Sequence, residues 1–298
     1  SKQLVHIKDA AEEAMAQIRA AFECNGAVSG TSTGLDGLDD YTTGFYPGEL
    51  LVLAGRPGMG KTTLALNIAQ SISNAGKPVA IFSLEMPAAQ LATKMLTEAS
   101  GVSQSKVRSG TISHDQVSSL VYAKNKLEGS PLWIYDSSSC TTSEIQSRCR
   151  QIEALAGQKL GLIVLDYLQL MRGDRKRGVS REQEVSALSR ELKIIARQCE
   201  APVLALSQLN RGVEARPDKR PLLSDLRESG AIEQDADAVF MIFRPGYYED
   251  DAPQDLAELI IAKQRRGRTG SVNLHFDAQT SKFTTWVERP THLLREWT

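Results

Sequence analysis

Apolar residues recur along this chain with two different periods, and the changes between them mark out its elements. Leu4, Ile7, Ala11, Met15, Ile18 and Phe22 fall at steps of three and four, with Lys8, Asp9, Glu12, Glu13 and Arg19 on the other faces. That stripe predicts an amphipathic helix ending near Asn25-Gly26. Residues 25–34, loose in glycine, serine and threonine, separate it from the rest of the chain. The stripe therefore has two possible homes, the helix's own core or a neighbouring subunit.

Beyond residue 49 the pattern changes to short unbroken apolar runs alternating with helical stretches. Strands are expected at 50–54, 79–84, 132–135, 162–165, 203–206, 238–243, 259–262 and 272–276, and helices at 63–69, 88–99, 115–127 and 184–199. Thr141-Thr-Ser-Glu144 has the T-x-x-E spacing of a capping box, which opens a further helix that Gly157 stops. Strand-helix alternation of this kind means an α/β fold, a mostly parallel twisted sheet with helices on both faces, finished by late antiparallel strands.

Composition narrows the class. At 298 residues and 41% hydrophobic content the chain can bury one α/β domain with an appendage. The net charge of −1 excludes a bulk polycation, so any nucleic-acid contact has to be a local patch. Cys24, Cys140, Cys149 and Cys199 show no C-x-x-C spacing and read as reduced thiols, while His6, His114, His275 and His292 lack metal-ligand spacing. No apolar run of about eighteen residues and no signal peptide is present, so a soluble cytosolic protein is expected, with no membrane partner.

The chemistry concentrates at residues 50–63. An apolar run breaks into Gly55-Arg-Pro-Gly-Met-Gly-Lys-Thr62, which is G-x-x-x-x-G-K-[ST] between a strand and a helix. This makes Gly55, Arg56, Pro57, Gly58, Met59, Gly60, Lys61, Thr62 and Thr63 the candidate cradle for a nucleoside triphosphate. Gly55, Gly58 and Gly60 are expected to take backbone angles closed to other residues, turning N–H groups onto phosphate oxygens. Lys61 supplies a point charge for the outer phosphates, and the Thr62 hydroxyl is the expected Mg²⁺ ligand.

In a parallel sheet the ligand lies beyond the carboxyl ends of the strands. Asp166 closes one apolar run, as an aspartate holding Mg²⁺ through water would. Glu85 closes another and is the candidate base for the attacking water, because Tyr167 and not an acid follows Asp166. Gln208 closes a third, where a neutral amide can sense the γ-phosphate.

These motifs resemble the RecA-type motor domain of the DnaB family of replicative helicases, from about residue 30 to 287. The residues carrying the likeness are the phosphate loop, Ser83-Leu-Glu-Met86, Asp166-Tyr-Leu-Gln-Leu-Met171, Leu206-Ser-Gln-Leu-Asn-Arg211, the acidic run from Asp225 to Asp237, and Lys263-Gln-Arg265. The resemblance implies a RecA-like P-loop ATPase that uses ATP and Mg²⁺, assembles as a hexameric ring, moves on single-stranded DNA and unwinds duplex DNA at the replication fork. It implies that residues 1–29 are a linker helix and linker that dock on the adjacent protomer, that 30–287 are the motor and that 288–298 are a tail. Lys263 and Arg265 match the finger pair given in trans to the γ-phosphate, although this chain has Arg266-Gly267-Arg268 where the family usually has Asn-Gly. Arg227, Glu228 and Gly230 fall where the family grips the single strand. The basic segment Arg172-Gly-Asp-Arg-Lys-Arg-Gly178 with Arg181 is either a second channel loop or a surface turn. The tail is either unstructured or a docking peptide for a primase or helicase loader. The resemblance places the protein in the bacterial cytosol, chromosomal or phage-encoded. A filament-forming recombinase and a nucleotide switch with little turnover are the rival classes on the same fold.

Overall fold

The computed structural model describes residues 4–23, 28–166 and 181–287. β1 (Leu50–Gly55) is buried along its whole length because it has a parallel neighbour on each side and a helix layer on each face. Successive side chains of a strand point to opposite faces, and β1 shows where each half goes. Leu50, Val52 and Ala54 pack with Ile145 and Cys149 of α7 (Thr142–Ala156) and Leu188, Leu192 and Ile195 of α8 (Arg181–Cys199). Leu51 and Leu53 pack with Leu64, Ile68 and Ile72 of α3 (Lys61–Asn74) and Leu91 and Met95 of α4 (Ala88–Ser100). Fully burying one such side chain is worth about 1.5–3 kcal/mol, so the two faces together fix β1 at the centre.

Around it lie β2 (Val79–Ser83), β3 (Leu132–Asp136), β4 (Leu162–Asp166), β5 (Val203–Gln208) and β6 (Ala238–Phe243). β7 (Leu256–Gln264), β8 (Gly270–Asp277) and β9 (Lys282–Thr285) complete a single sheet in the order β3-β2-β4-β5-β1-β6-β7-β8-β9. The first six strands are parallel and the last three antiparallel. This is the α/β architecture the alternation predicts.

Local signals act as expected at α7. The Thr141 hydroxyl accepts from the Glu144 N–H at 3.3 Å, the Glu144 carboxylate accepts from the Thr141 N–H at 2.7 Å, and Gly157 ends the helix in the left-handed region at φ 67°. α6 (His114–Glu128) opens on a similar box between Ser113 and Gln116. The apolar pattern does not foretell α2 (Asp36–Thr42), α5 (Gln104–Ser109) or β9, which are short and carry few buried apolar side chains.

Among the described residues the predicted stripe, which begins at Leu4 just ahead of α1 (Ile7–Glu23), packs on no core: Leu4, Ile7, Ala11, Met15, Ile18 and Phe22 are all exposed, Phe22 by 84%. The expected end of that helix near Asn25-Gly26, residues 167–171 of one motif, the basic segment 172–178 and the tail 288–298 lie outside the described residues. Cys140, Cys149 and Cys199 are buried free thiols. Among the described residues no helix is long and apolar enough to cross a membrane.

Candidate nucleotide site

Strand register gathers the polar strand ends at one level. Gly55 pairs with Gln208 across β1 and β5, Ser83 pairs with Asp166 across β2 and β4, and the Leu84 N–H donates to the Asp166 carbonyl at 2.7 Å. Glu85 follows at once. A cleft of about 390 Å³ opens there, lined by Pro57, Gly58, Gly60, Lys61, Thr62 and Thr63 from the loop, Glu85, Met86, Asp166 and Gln208 from the strand ends, and Lys94, Phe276 and Ser281. Lys61, Thr62, Glu85, Asp166 and Gln208 are thus brought together by topology alone.

The loop backbone is shaped for an anion. Gly58 and Gly60 hold φ values of 82° and 98°, where an L side chain is strained, and Gly60 opens α3. Gly55 is different from the expectation. Its φ is not positive, and glycine is needed there because a Cβ would lie 2.7 Å from Ile242 Cγ2 and 3.3 Å from Lys61 Cγ.

Charge in the cleft is finely set. Lys61 Nζ donates to the Gly55 carbonyl at 2.9 Å and the Arg56 carbonyl at 3.2 Å. Burial pushes its ammonium down to about 8, opposed by the carboxylates of Asp166 and Glu85. The Thr62 hydroxyl donates to Asp166 Oδ2 at 2.8 Å. Burial raises the Asp166 carboxyl above the usual range, the bond from Thr62 pulls it down, and the Glu85 charge raises it again. A hydroxyl and a buried carboxylate in contact form a donor set suited to a divalent cation, hard oxygen ligands beside the phosphate loop.

Two of the nine candidate cradle residues point elsewhere. The Met59 side chain is buried in the core on the α3 side of the sheet, and Arg56 is buried with its guanidinium on the Leu209 carbonyl and Glu214, so neither lines the cleft. Conversely, Lys94 was not foreseen. It sits three residues after the buried Leu91 on α4, and helical side chains lean toward the N-terminus, which returns its ammonium to the cleft beside Asp166. Burial lowers it and Asp166 holds it up. A lysine on a helix's buried stripe just after a strand-ending glutamate is the signal that would have found it.

Lys263 and Arg265 stand toward the opposite end of the strands. Lys263 pairs with Val239, which is level with Val52, and the Arg265 N–H donates to the Asp237 carbonyl next to Leu50. Along the strand direction the Arg265 backbone is therefore displaced five residues from Gly55, about 17 Å at 3.3 Å per residue, with β6 between their strands. Their cationic heads cap the end of α9 (Gly230–Asp235): Lys263 Nζ donates to the carbonyls of Glu233 and, at 2.8 Å, Ala236, and Arg265 Nη2 to that of Gln234 at 2.6 Å. Arg265 also meets Asp237 at 3.4 Å, whereas Arg266 is held by Glu49 at 3.7 Å and over the Tyr46 ring. Burial lowers Lys263, with Arg265 next to it. The backbone of Arg227 and Glu228 closes a 3-10 turn (Leu223–Ser229), and Gly230 is the first residue of α9, so the three residues expected to grip a strand lead into the helix whose far end Lys263 and Arg265 cap.

Comparison with known proteins agrees with this fold. The family described as DnaB-like helicase C terminal domain matches residues 30–285. The Replicative DNA helicase DnaC of Bacillus subtilis (strain 168) is 43% identical over 286 residues, 95% of this chain and 63% of the relative, so the chain spans less than two thirds of that relative's length. A solved ATPase domain superposes with a TM-score of 0.90 at 33% identity, over 96% of this chain and 100% of its own. A DnaB-like replicative helicase, solved with attention to its interactions with primase, gives a TM-score of 0.87 at 33% identity over 96% of this chain and 68% of its own. The RadB recombinase, with a TM-score of 0.53 at 18% identity over 86% of this chain and 100% of its own, shares the RecA-like fold alone.

Proposed function

The chain belongs to the family of the DnaB-like helicase C-terminal domain, and from that premise we propose that it is the ATP-driven motor of a ring-forming replicative helicase, hydrolysing ATP at subunit seams while moving along single-stranded DNA. The observation that carries the reading is the separation of cations: Lys61 and Lys94 line the cleft, while Lys263 and Arg265 lie toward the opposite end of the strands of the same sheet. In this reading the site is completed by a neighbour's Lys263 and Arg265 across a head-to-tail contact, which closes into a hexameric ring.

In such a seam Lys61 leaves the Gly55 and Arg56 carbonyls for the outer phosphates of ATP, and the Gly58 and Gly60 backbone cradles them. Thr62 and Asp166 would hold a magnesium ion, whose charge offsets that of the triphosphate. Glu85 orients the attacking water and takes its proton, Gln208 reads the γ-phosphate, and Lys94 adds a cation from the same subunit. The neighbour's Lys263 and Arg265 stabilise charge on the transferring group, a contribution worth roughly 10³ to 10⁵ in rate for such fingers. Arg227, Glu228 and Gly230 meet the single strand, through backbone contacts that read no sequence. We assign 1–29 to the linker, 30–287 to the motor and 288–298 to the tail, and take primase and a loader as partners of the assembled ring in the bacterial cytosol.

A forked DNA substrate tests the whole. The wild-type chain should displace the strand with ATP, and Glu85→Gln should bind ATP with near-normal affinity while turnover and displacement fall by about 10²-fold or more, as for loss of a general base. Wild-type hydrolysis in that variant would remove Glu85 from the mechanism, and ATP turnover without displacement by the wild type would favour a recombinase or switch.

A further inference from the structure

The guanidinium of Arg56 leaves the cleft for the segment that follows β5. Its Nε donates to Glu214 Oε1 at 2.9 Å and its Nη1 to the Leu209 carbonyl at 2.9 Å. A guanidinium is a rigid planar fork of donors, so two such bonds fix that segment against the loop more firmly than a flexible lysine would. The far end of the segment is tied back to its start. The Asn210 N–H donates to the Asp225 carbonyl at 3.1 Å, and Arg216 forks onto both Asp225 carboxylate oxygens at 2.8 and 2.7 Å. Asn210 follows Gln208 by two residues, and Asp225 precedes Arg227 by two. Movement of the phosphate loop or of Gln208 thus has a short hydrogen-bonded route to the backbone that carries residues 227–230.

We propose that Arg56 and Glu214 are a coupling pair: the Arg56 side chain carries the state of the phosphate loop to the 209–226 segment and so sets the strand affinity of the backbone behind it. This rests on reading the cleft as an ATP site and residues 227–230 as the strand contact. Neither side chain touches the reacting atoms, so both are positioning residues. Coupling between two ligands is reciprocal, so breaking the pair must reduce by one common factor the effect of nucleotide on strand binding and of strand on nucleotide binding.

The test uses Glu214→Ala and Glu214→Gln in the full chain, titrating a non-hydrolysable ATP analogue with and without an oligothymidylate, and the oligothymidylate with and without the analogue. Glu214 is 44% exposed, and Arg56 keeps the Leu209 carbonyl in either variant, so the fold is retained. The wild-type coupling factor, on the order of 5 to 150 for such systems, should fall at least about threefold in Glu214→Ala and equally in both directions, while each ligand alone binds within about twofold of wild type. Glu214→Gln, which keeps an acceptor without the charge, should fall between. Undiminished coupling in Glu214→Ala, or nucleotide affinity lost even without the strand, overturns the pair. A wild-type chain in which neither ligand affects the other overturns the underlying reading and the pair with it, a result the variants cannot mimic.

Discussion

Lys61 meets two demands that conflict. It must be charged to hold phosphate, yet burial lowers its pKa to about 8, with the Asp166 and Glu85 carboxylates opposing that and the Arg56 charge adding to it. Phosphate oxygens favour the ammonium, so the bound state has the higher pKa and takes up a proton wherever the free state has lost one. Affinity for an ATP analogue should therefore be flat below pH 8 and weaken as pH rises above it, by up to about tenfold per unit. Titrations from pH 7 to 9.5 check this, and a flat profile throughout would mean that Lys61 stays charged without phosphate. Glu85, Asp166 and Gln208 were legible in the sequence because each closes an apolar run, and strand register makes the ends of such runs converge. Arg56 and Met59 were not, since a loop sequence gives the backbone path but not which side chains turn inward. Lys94 was hidden by distance along the chain, as α4 has to fold before its second turn faces Asp166.

At the scale of elements, β7 decides which end of the sheet carries Lys263 and Arg265. It runs antiparallel to β6, so its carboxyl end is carried away from the phosphate loop and toward α9. Lys263 and Arg265 then serve the fold by capping carbonyls and are held by the backbone they would have to leave, or keep, when a neighbour's phosphate arrives. If they act on the neighbour, a mixture of Arg265→Ala and Lys61→Ala chains should regain hydrolysis at those seams that combine an intact loop with an intact finger. Each variant alone should be reduced by about 10³-fold or more, so even a minor fraction of good seams gives a clear steady-state signal. A mixture no faster than its parts would show that the two residues do not share a site. The parallel core was readable because fully buried strands are unbroken apolar runs, as in β2 and β4. β9 was not, because Phe283 alone is buried there and its pairing with β8 is decided by tertiary contact with Phe276.

For the whole molecule the open question is where α1 spends its apolar stripe. Six stripe residues are exposed in one chain, and an amphipathic helix that packs on nothing is stabilised by propensity alone; its 17 residues are only a little beyond the roughly 12–15 below which an isolated helix is marginal. The pattern left two homes open, its own core and a neighbour, and among the described residues the stripe does not lie on the first. If the stripe docks on an adjacent copy, the helix ties subunits together while leaving each motor free to move, and assembly depends on concentration. Ile18→Asp with Phe22→Asp would then remove two apolar contacts worth about 1.5–3 kcal/mol each, raising the concentration for half-maximal ATPase by roughly 10²-fold or more. The melting temperature of the dilute chain should stay unchanged, since neither side chain supports its core. ATPase measured against protein concentration, with sedimentation on the same samples, separates the cases. A lowered melting temperature with unaltered assembly would place the stripe on the helix's own domain. Equal specific activity from dilute monomer to assembled particle would be worse for the proposal, because it would deny that hydrolysis needs the seam at all.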